Sequence, residues 1–341
     1  MKLIATVDAV GHILAHDMTR IIKDVEKGPA FRKGHVVTEE DIPVLLSIGK
    51  EHLYVWEKEE GMLHEDEAAE ILCSLCINDH MKRSEAREGK IELTAETDGL
   101  FVADAKRIEE VNTIENMMIA TRNNYQVVKA GDKLAGTRII PLVIEEAVME
   151  EVKQTAGEKP LLQLLPFPER KAGIVTTGSE VFHGRIQDTF TPVVKEKLRQ
   201  FKIETAEHRI VSDEKEHIAA AILELKEKGM DMILCTGGMS VDPDDQTPGA
   251  IRESGARIVS YGAPVLPGAM FLLGYFEDGT PIMGLPGCVM YAKATIFDLV
   301  LPRLAAGLTV ERKDLVQLGV GGLCLGCQPC HYPNCGFGKG V

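Results

Sequence analysis

The hydrophobic pattern changes character halfway along the chain. Through residues 1–148 the apolar runs are short and broken by polar positions. Val36-Val37 leads into Thr38 and the acids Glu39, Glu40 and Asp41, which predicts a helix capped by Thr38, running through Val44-Leu45-Leu46 and ending at Gly49. His52–Trp56 alternates as a strand and ends on the only Trp of the chain, which suits packing better than ligand stacking. A helical period follows over Glu65–Arg83. Strands and turns fill Lys90–Glu145, with a short helix at Ile108–Met118. Residues 1–148 are therefore expected to be an α+β, β-rich accessory region. A charged helical piece, Met149–Lys159, and the prolines Pro160, Pro166 and Pro168 predict a linker over 149–169.

From residue 170 buried strands alternate with amphipathic helices. Strands are expected at Ala172–Thr176, Glu204–Ile210, Met232–Cys235, Ala256–Val265, Met270–Tyr275 and Pro281–Leu285. Helices are expected from Thr191 to Phe201, from an Asp213 cap to Gly229, and over Val289–Ala306. Glu277-Asp278-Gly279 reads as a hairpin turn. The pattern predicts an α/β domain over 170–308, a three-layer arrangement around a mostly parallel sheet, followed by a Cys-rich tail over 309–341.

Charge narrows the ligand classes. The chain has 341 residues, with 52 acidic against 38 basic side chains and a net charge of −14. Non-specific nucleic-acid binding needs a basic footprint and is not expected. An anionic ligand would have to be held by local backbone N–H groups and a few cations. With no apolar segment long enough for a bilayer and no leader-like start, a cytoplasmic protein without a membrane partner is expected.

Three predicted strand ends carry glycine turns: Thr177-Gly178-Ser179-Glu180, Thr236-Gly237-Gly238-Met239-Ser240 and Leu285-Pro286-Gly287. In a parallel sheet all three share one rim, where open α/β sheets bind ligands. Gly-rich turns feeding helices present unpaired N–H groups to phosphate. Asp213, Asp242, Asp244 and Asp245 lie nearby, so a phosphorylated ligand with Mg²⁺ fits the pattern, because a hard cation takes carboxylate oxygens beside phosphate. The plainer readings are a solvated acidic loop at Asp242–Asp245, a solvated Glu180 and a simple helix cap at Asp213. Cys73 and Cys76 fall within a predicted helix and read as buried thiols rather than a redox pair. His12, His16, Asp17 and His35 read as scattered surface groups.

Taken together, TTGSEVFHGRIQDTFTPVV, IVSDEKEHI, CTGGMSVDPDDQTP and LPGCVMYA resemble the molybdopterin-binding domain family of molybdenum-cofactor biosynthesis over about residues 170–308. The family includes molybdopterin molybdenumtransferases and adenylyltransferases. The resemblance implies a pterin-phosphate turn at Thr177, Gly178 and Ser179 with Glu180 beside it, and a loop at Asp188 and Thr189. It implies functional aspartates at Asp213 and Asp245, with Asp245 on a metal. It implies further cofactor contacts at Gly237, Gly238, Ser240, Asp242, Thr247, Pro286 and Gly287. The implied ligands are molybdopterin or its adenylate, molybdate and Mg²⁺; the implied partners are a molybdoenzyme or another cofactor-assembly protein, and a second copy of the chain. The implied activity is molybdate insertion. Two departures stand out: Ser179 replaces an acid, and Ala269 stands where the transferases carry a lysine. The missing lysine, together with the missing β-domain, favours the alternative of a non-catalytic cofactor carrier. The Asp188-Thr189 and Asp244-Asp245-Gln246-Thr247 runs equally resemble the competence/damage-inducible protein A family of nucleotide hydrolases.

Where the transferases usually continue into a β-domain, this chain has Cys324, Cys327, Cys330 and Cys335. Four thiols in twelve residues, C-x2-C-x2-C-x4-C, are one residue longer than ferredoxin-type spacing and lack its trailing proline. An iron–sulfur cluster or a Cys₄ zinc site is expected, with His331 as a spare ligand; a loose tail with idle thiols is the plain alternative.

Overall fold

The computed structural model describes residues 2–22, 26–55, 60–240, 242 and 245–340; Trp56 and Asp244 lie outside them. The chain divides into two compact units. One holds residues 1–97, 102–122 and 130–164; the other holds 98–101, 123–129 and 165–341.

The first unit is β-rich, as the pattern predicts. Its main sheet has four antiparallel strands in the order Met81–Arg83, Lys90–Ala95, Lys133–Ile139, Met117–Thr121. The helix Glu65–Cys76 packs on it. That helix stops at Cys76, because Ile77 turns extended and Met81–Arg83 joins the sheet instead of prolonging the helix to Arg83. Cys73 and Cys76 are fully buried, and burial pushes the Cys76 thiol up to about 12, so both are packing groups. The helix expected at Ile108–Met118 is Ala105–Thr113, started by the Asp104 side chain, and Met117–Thr121 is a strand. Thr38 caps nothing: it donates its N–H and hydroxyl to Asp41, and the helix is Asp41–Ser47. Residues 149–169 are not an open linker, since the helix Glu146–Ala156 and the strand Leu162–Pro166 occupy most of them.

The second unit is built on a six-stranded sheet. Its elements are β1 (Arg170–Thr177), α1 (Phe190–Arg199), β2 (Ile203–Val211), α2 (Lys215–Glu227), β3 (Met232–Thr236), α3 (Thr247–Glu253), β4 (Arg257–Tyr261), β5 (Leu272–Tyr275), β6 (Pro281–Leu285), α4 (Ile296–Ala305) and α5 (Arg312–Gln317). The strand order is β2-β1-β3-β6-β5-β4. β2, β1, β3 and β6 run parallel, while β5 lies antiparallel to both its neighbours, β6 and β4. β3 is buried at all five positions, which is why it reads as an unbroken apolar run. Ile218, Ile222 and Leu225 of α2 pack with Val175, Ile233 and Ile282 of the strands in one apolar cluster. The long helix expected over Val289–Ala306 is divided. Gly287–Met290 forms one 3₁₀ turn, and α4 starts afresh at Thr295, whose hydroxyl accepts the Phe297 N–H while Asp298 accepts the Thr295 N–H. Among the described residues no helix is long and apolar enough to cross a membrane.

One group in the first unit makes stability depend on pH. Glu65, at the start of its helix, is only 7% exposed. Burial, with repulsion from Asp66, raises its carboxyl to about 7. An acid raised on folding retains protons that the unfolded chain has released, so its contribution is fullest below the ordinary carboxyl range and is lost as pH rises through 7. Replacing Glu65 by Gln should flatten this dependence. Between about pH 5 and about pH 8 the wild-type chain should lose on the order of 2 kcal/mol relative to Glu65→Gln in urea denaturation. Parallel stability–pH curves would rule out this role.

Candidate functional site

Register brings the glycine turns together. Thr176 of β1 lies opposite Thr236 of β3, and Thr236 opposite Leu285 of β6. The three strands therefore end in one row, and Thr177-Gly178, Gly237-Gly238 and Pro286-Gly287 leave the sheet side by side.

Packing at this rim is close enough to dictate residue type. Gly237 has φ of 88°, and a Cβ there would stand 2.4 Å from the Thr177 carbonyl oxygen. At Gly238, with φ of 55°, a Cβ would stand 2.9 Å from Thr247 Oγ1. Thr247 is fully buried and donates its hydroxyl to the Gly237 carbonyl at 2.8 Å, so it shapes the turn from behind. Tyr261 of β4 holds the same loop, its hydroxyl 3.0 Å from the Met239 carbonyl and 3.1 Å from that of Ser240. Burial, with the nearby Asp245 charge, raises this phenol, which keeps it a donor. Nothing in the local sequence around Tyr261 signals that contact.

The first turn is built differently. The Ser179 N–H donates to Asp213 Oδ2 at 2.6 Å. Asp213 therefore does not cap α2, whose cap position is Glu214 without a side-chain cap bond; it ties the end of β2 to the turn after β1. Glu180 lies within the short helical turn Ser179–Phe182 and is exposed. Asp188 accepts the N–H groups of Phe190 and Thr191 at 2.9 and 3.0 Å, starting α1. Burial works to raise its carboxyl, but the bonds from Thr191 and Phe190 and the nearby His208 hold it below the usual range. Beneath lies a polar cluster: Thr176 Oγ1 is 2.9 Å from both Thr191 Oγ1 and His208 Nε2, and Thr236 donates to it at 3.1 Å. Burial lowers His208.

A cleft of about 620 Å³ opens before the second and third turns. Of the residues expected at the site, Gly237, Gly238, Ser240, Asp242, Asp245, Pro286 and Gly287 line it. Thr177, Gly178, Ser179, Glu180, Asp188, Asp213 and Thr247 are not among the lining residues. The lining also includes Phe190, Met270, Met290 and Tyr291, the last 76% exposed. None of the described lining residues is Lys, Arg or His, and Ala269 is one of them. The cleft thus combines apolar and aromatic side chains, suited to a heteroaromatic ring, with glycine turns and two carboxylates. Among the described residues no three His, Cys, Asp or Glu side chains converge on one metal position. A magnesium ion needs fewer, since one or two carboxylates plus ligand phosphate and water complete its shell.

Comparisons with known proteins find likenesses over this domain. Residues 173–306 match the model of the probable molybdopterin binding domain. Residues 3–57 match a domain of unknown function (DUF8806). A CinA-like protein of Mycobacterium avium is 38% identical over 77 residues, which is 23% of this chain and 18% of the relative. One from Mycobacterium tuberculosis is 38% identical over 90 residues, 26% of this chain and 21% of its own length. The chain thus spans about a fifth of the curated relatives it matches. Among solved structures, the molybdopterin biosynthesis enzyme MoaB of Thermus thermophilus is 26% identical, covering 40% of this chain and 97% of that one at a TM-score of 0.33. CinA of Thermoplasma acidophilum is 16% identical, covering 43% and 99% at a TM-score of 0.31.

The contrast between two glycines tests the rim. Gly237→Ala should cost on the order of 2 kcal/mol or more, from positive φ and the Thr177 contact. Gly287→Ala, where a Cβ meets nothing within 4 Å, should stay within about 0.5 kcal/mol of the wild type. Equal midpoints for the two variants in chemical denaturation would contradict this packing.

Proposed function

We propose that the cleft binds molybdopterin through its phosphate, with the pterin ring on the Phe190, Met270 and Tyr291 wall and the phosphate at the Gly237–Ser240 turn. The reaction assigned to it is molybdate insertion into the dithiolene of adenylylated molybdopterin, with hydrolytic release of AMP. The observation that carries this reading is the pairing of the glycine turns with Asp242 and Asp245 in a cleft whose described lining has no cationic side chain. Bringing a phosphate beside two carboxylates is unfavourable unless a cation intervenes. Asp245 and Asp242 would hold Mg²⁺, which supplies charge neutralisation at the phosphate. The protein's own work is then positioning: the turns present N–H groups, Tyr261 fixes the loop that carries Ser240, and Met290 and Phe190 shield the ring from water.

Ala269 favours a second reading, a carrier that binds the finished cofactor without turnover, because the transferase lysine is missing from the cleft wall. The likeness to CinA-like proteins supports a third, nucleotide hydrolysis. One experiment separates them. With adenylylated molybdopterin, molybdate and Mg²⁺, AMP should appear, and Asp245→Asn should lower its rate by about 10²-fold or more while pterin binding persists. Pterin binding by the wild type without AMP release selects the carrier. Hydrolysis of ADP-ribose without pterin binding selects the hydrolase.

A further inference from the structure

The Cys-rich tail is folded, although little core holds it. Glycines let it lie flat against its neighbours. A Cβ at Gly338 would stand 2.3 Å from Leu299 Cδ2, and one at Gly340 would stand 1.7 Å from the Val320 carbonyl oxygen. The Gly338 N–H donates to the Gly321 carbonyl at 3.0 Å, and the Tyr332 hydroxyl donates to the Asp298 carbonyl at 3.0 Å. The plain expectation of a loose tail is not met. Beyond α5, however, only Leu318 and Phe337 are buried apolar residues among the described ones, while Leu323 and Leu325 are 62% and 82% exposed. A segment this short, without regular secondary structure, needs another source of order, and bound metal is a common one.

The ligand set is in place. Cys324, Cys327, Cys330 and Cys335 all line one cavity of about 250 Å³, together with His331, and none of the four is in a disulfide. A single zinc is a poor fit: its thiolates stand about 2.3 Å from the ion and so converge on one point. Here no three such side chains among the described residues converge in that way. The four cysteines line one shared volume. Its remaining wall is largely apolar, with Ala294, Tyr332 and Phe337. Four cysteines lining one low-polarity cavity suit a polynuclear centre, in which each cysteine binds a different iron.

We propose that Cys324, Cys327, Cys330 and Cys335 hold an iron–sulfur cluster in this cavity, of the cubane class, with His331 outside the ligand set. The site is independent of the pterin cleft in its ligands. It is linked to that cleft through the backbone: the Leu266 N–H donates to the Gly322 carbonyl and the Cys324 N–H to the Leu266 carbonyl, both at 2.8 Å, while Gly268 and Ala269 line the cleft.

The test uses the full chain, purified without oxygen and then supplied with ferrous iron and sulfide. About four irons and as many acid-labile sulfides per chain are expected, with a broad visible absorption that dithionite bleaches. Cys327→Ser and Cys330→Ser should each lower bound iron several-fold, and His331→Ala and Cys288→Ser should not. One equivalent of zinc without acid-labile sulfide overturns the proposal, as does wild-type protein that binds no metal. Undiminished iron in a Cys327→Ser, Cys330→Ser double variant overturns it as well. Because wild-type metal content is read separately, a variant that fails to fold does not leave the question open.

Discussion

The closest approach on the rim, Gly237 against the Thr177 carbonyl, is the constraint on which the rest of the site depends. The parallel register of β1, β3 and β6 puts Thr176, Thr236 and Leu285 in a row. Three chains must then turn away from the sheet in a space that admits no side chain at the middle one. Once Gly237 and Gly238 take positive φ, Thr247 behind them and Tyr261 beside them have definite places. Asp245 is carried on the loop between. The carboxylates are thus held at the cleft by backbone packing, and none of their charge is needed to fold the rim.

Electrostatics at the two ends of the sheet point in opposite directions. At the amino ends a larger cavity, about 830 Å³, is lined by Arg170, Lys171, Lys195, Arg199 and Lys202. Its volume and positive charge would attract an anion. Yet Glu169, Glu204 and Asp231 share the same lining, and Asp231 already accepts the Lys171 N–H at 2.7 Å. It lacks glycine turns and helix N-termini, the features that point N–H groups at phosphate. The carboxyl-end cleft has those features but lacks cationic side chains in its described lining, so its chemistry requires a cation that comes with the ligand. Net charge of −14 sharpens that need, because the field of the whole chain opposes an anion's approach.

How far the sequence disclosed this structure depends on range. Strand ends, glycine turns and the sheet class were legible because each is written in adjacent residues. β3 and its turn appear as an apolar run broken by Gly-Gly, and register carries the neighbours along. The roles of acids were harder. Asp213 precedes a helix and reads as its cap, but its oxygen accepts an N–H from Ser179, 34 residues away. Asp188 precedes a helix too, and there the local reading is right in kind. Both are aspartates before a helix, and only the tertiary position of the β1 turn separates them. The cut in the Val289–Ala306 helix follows from a Thr-x-x-Asp capping box at Thr295 and Asp298, a local signal outweighed by the apolar period around it. Tyr261 and the cluster of Thr176, Thr191 and His208 join residues from different strands and helices, and no short pattern encodes such a meeting.

The wall of the cleft around Gly268 shows how a segment without secondary structure can still be placed. On one side Gly268, with φ of 122°, lies so close to α4 that a Cβ would stand 2.6 Å from Ile296 Cγ2. On the other, Leu266 exchanges two backbone hydrogen bonds with the chain just before and at Cys324. The first support is packing within the α/β fold and persists as long as α4 does. The second is only as firm as the tail, whose apolar burial is slight. Fixing each backbone residue costs on the order of 1–2 kcal/mol, which two hydrogen bonds do not offset on their own. The order of this wall is therefore tied to whatever orders the tail, and a group gripped by four cysteines would act on the cleft without touching it.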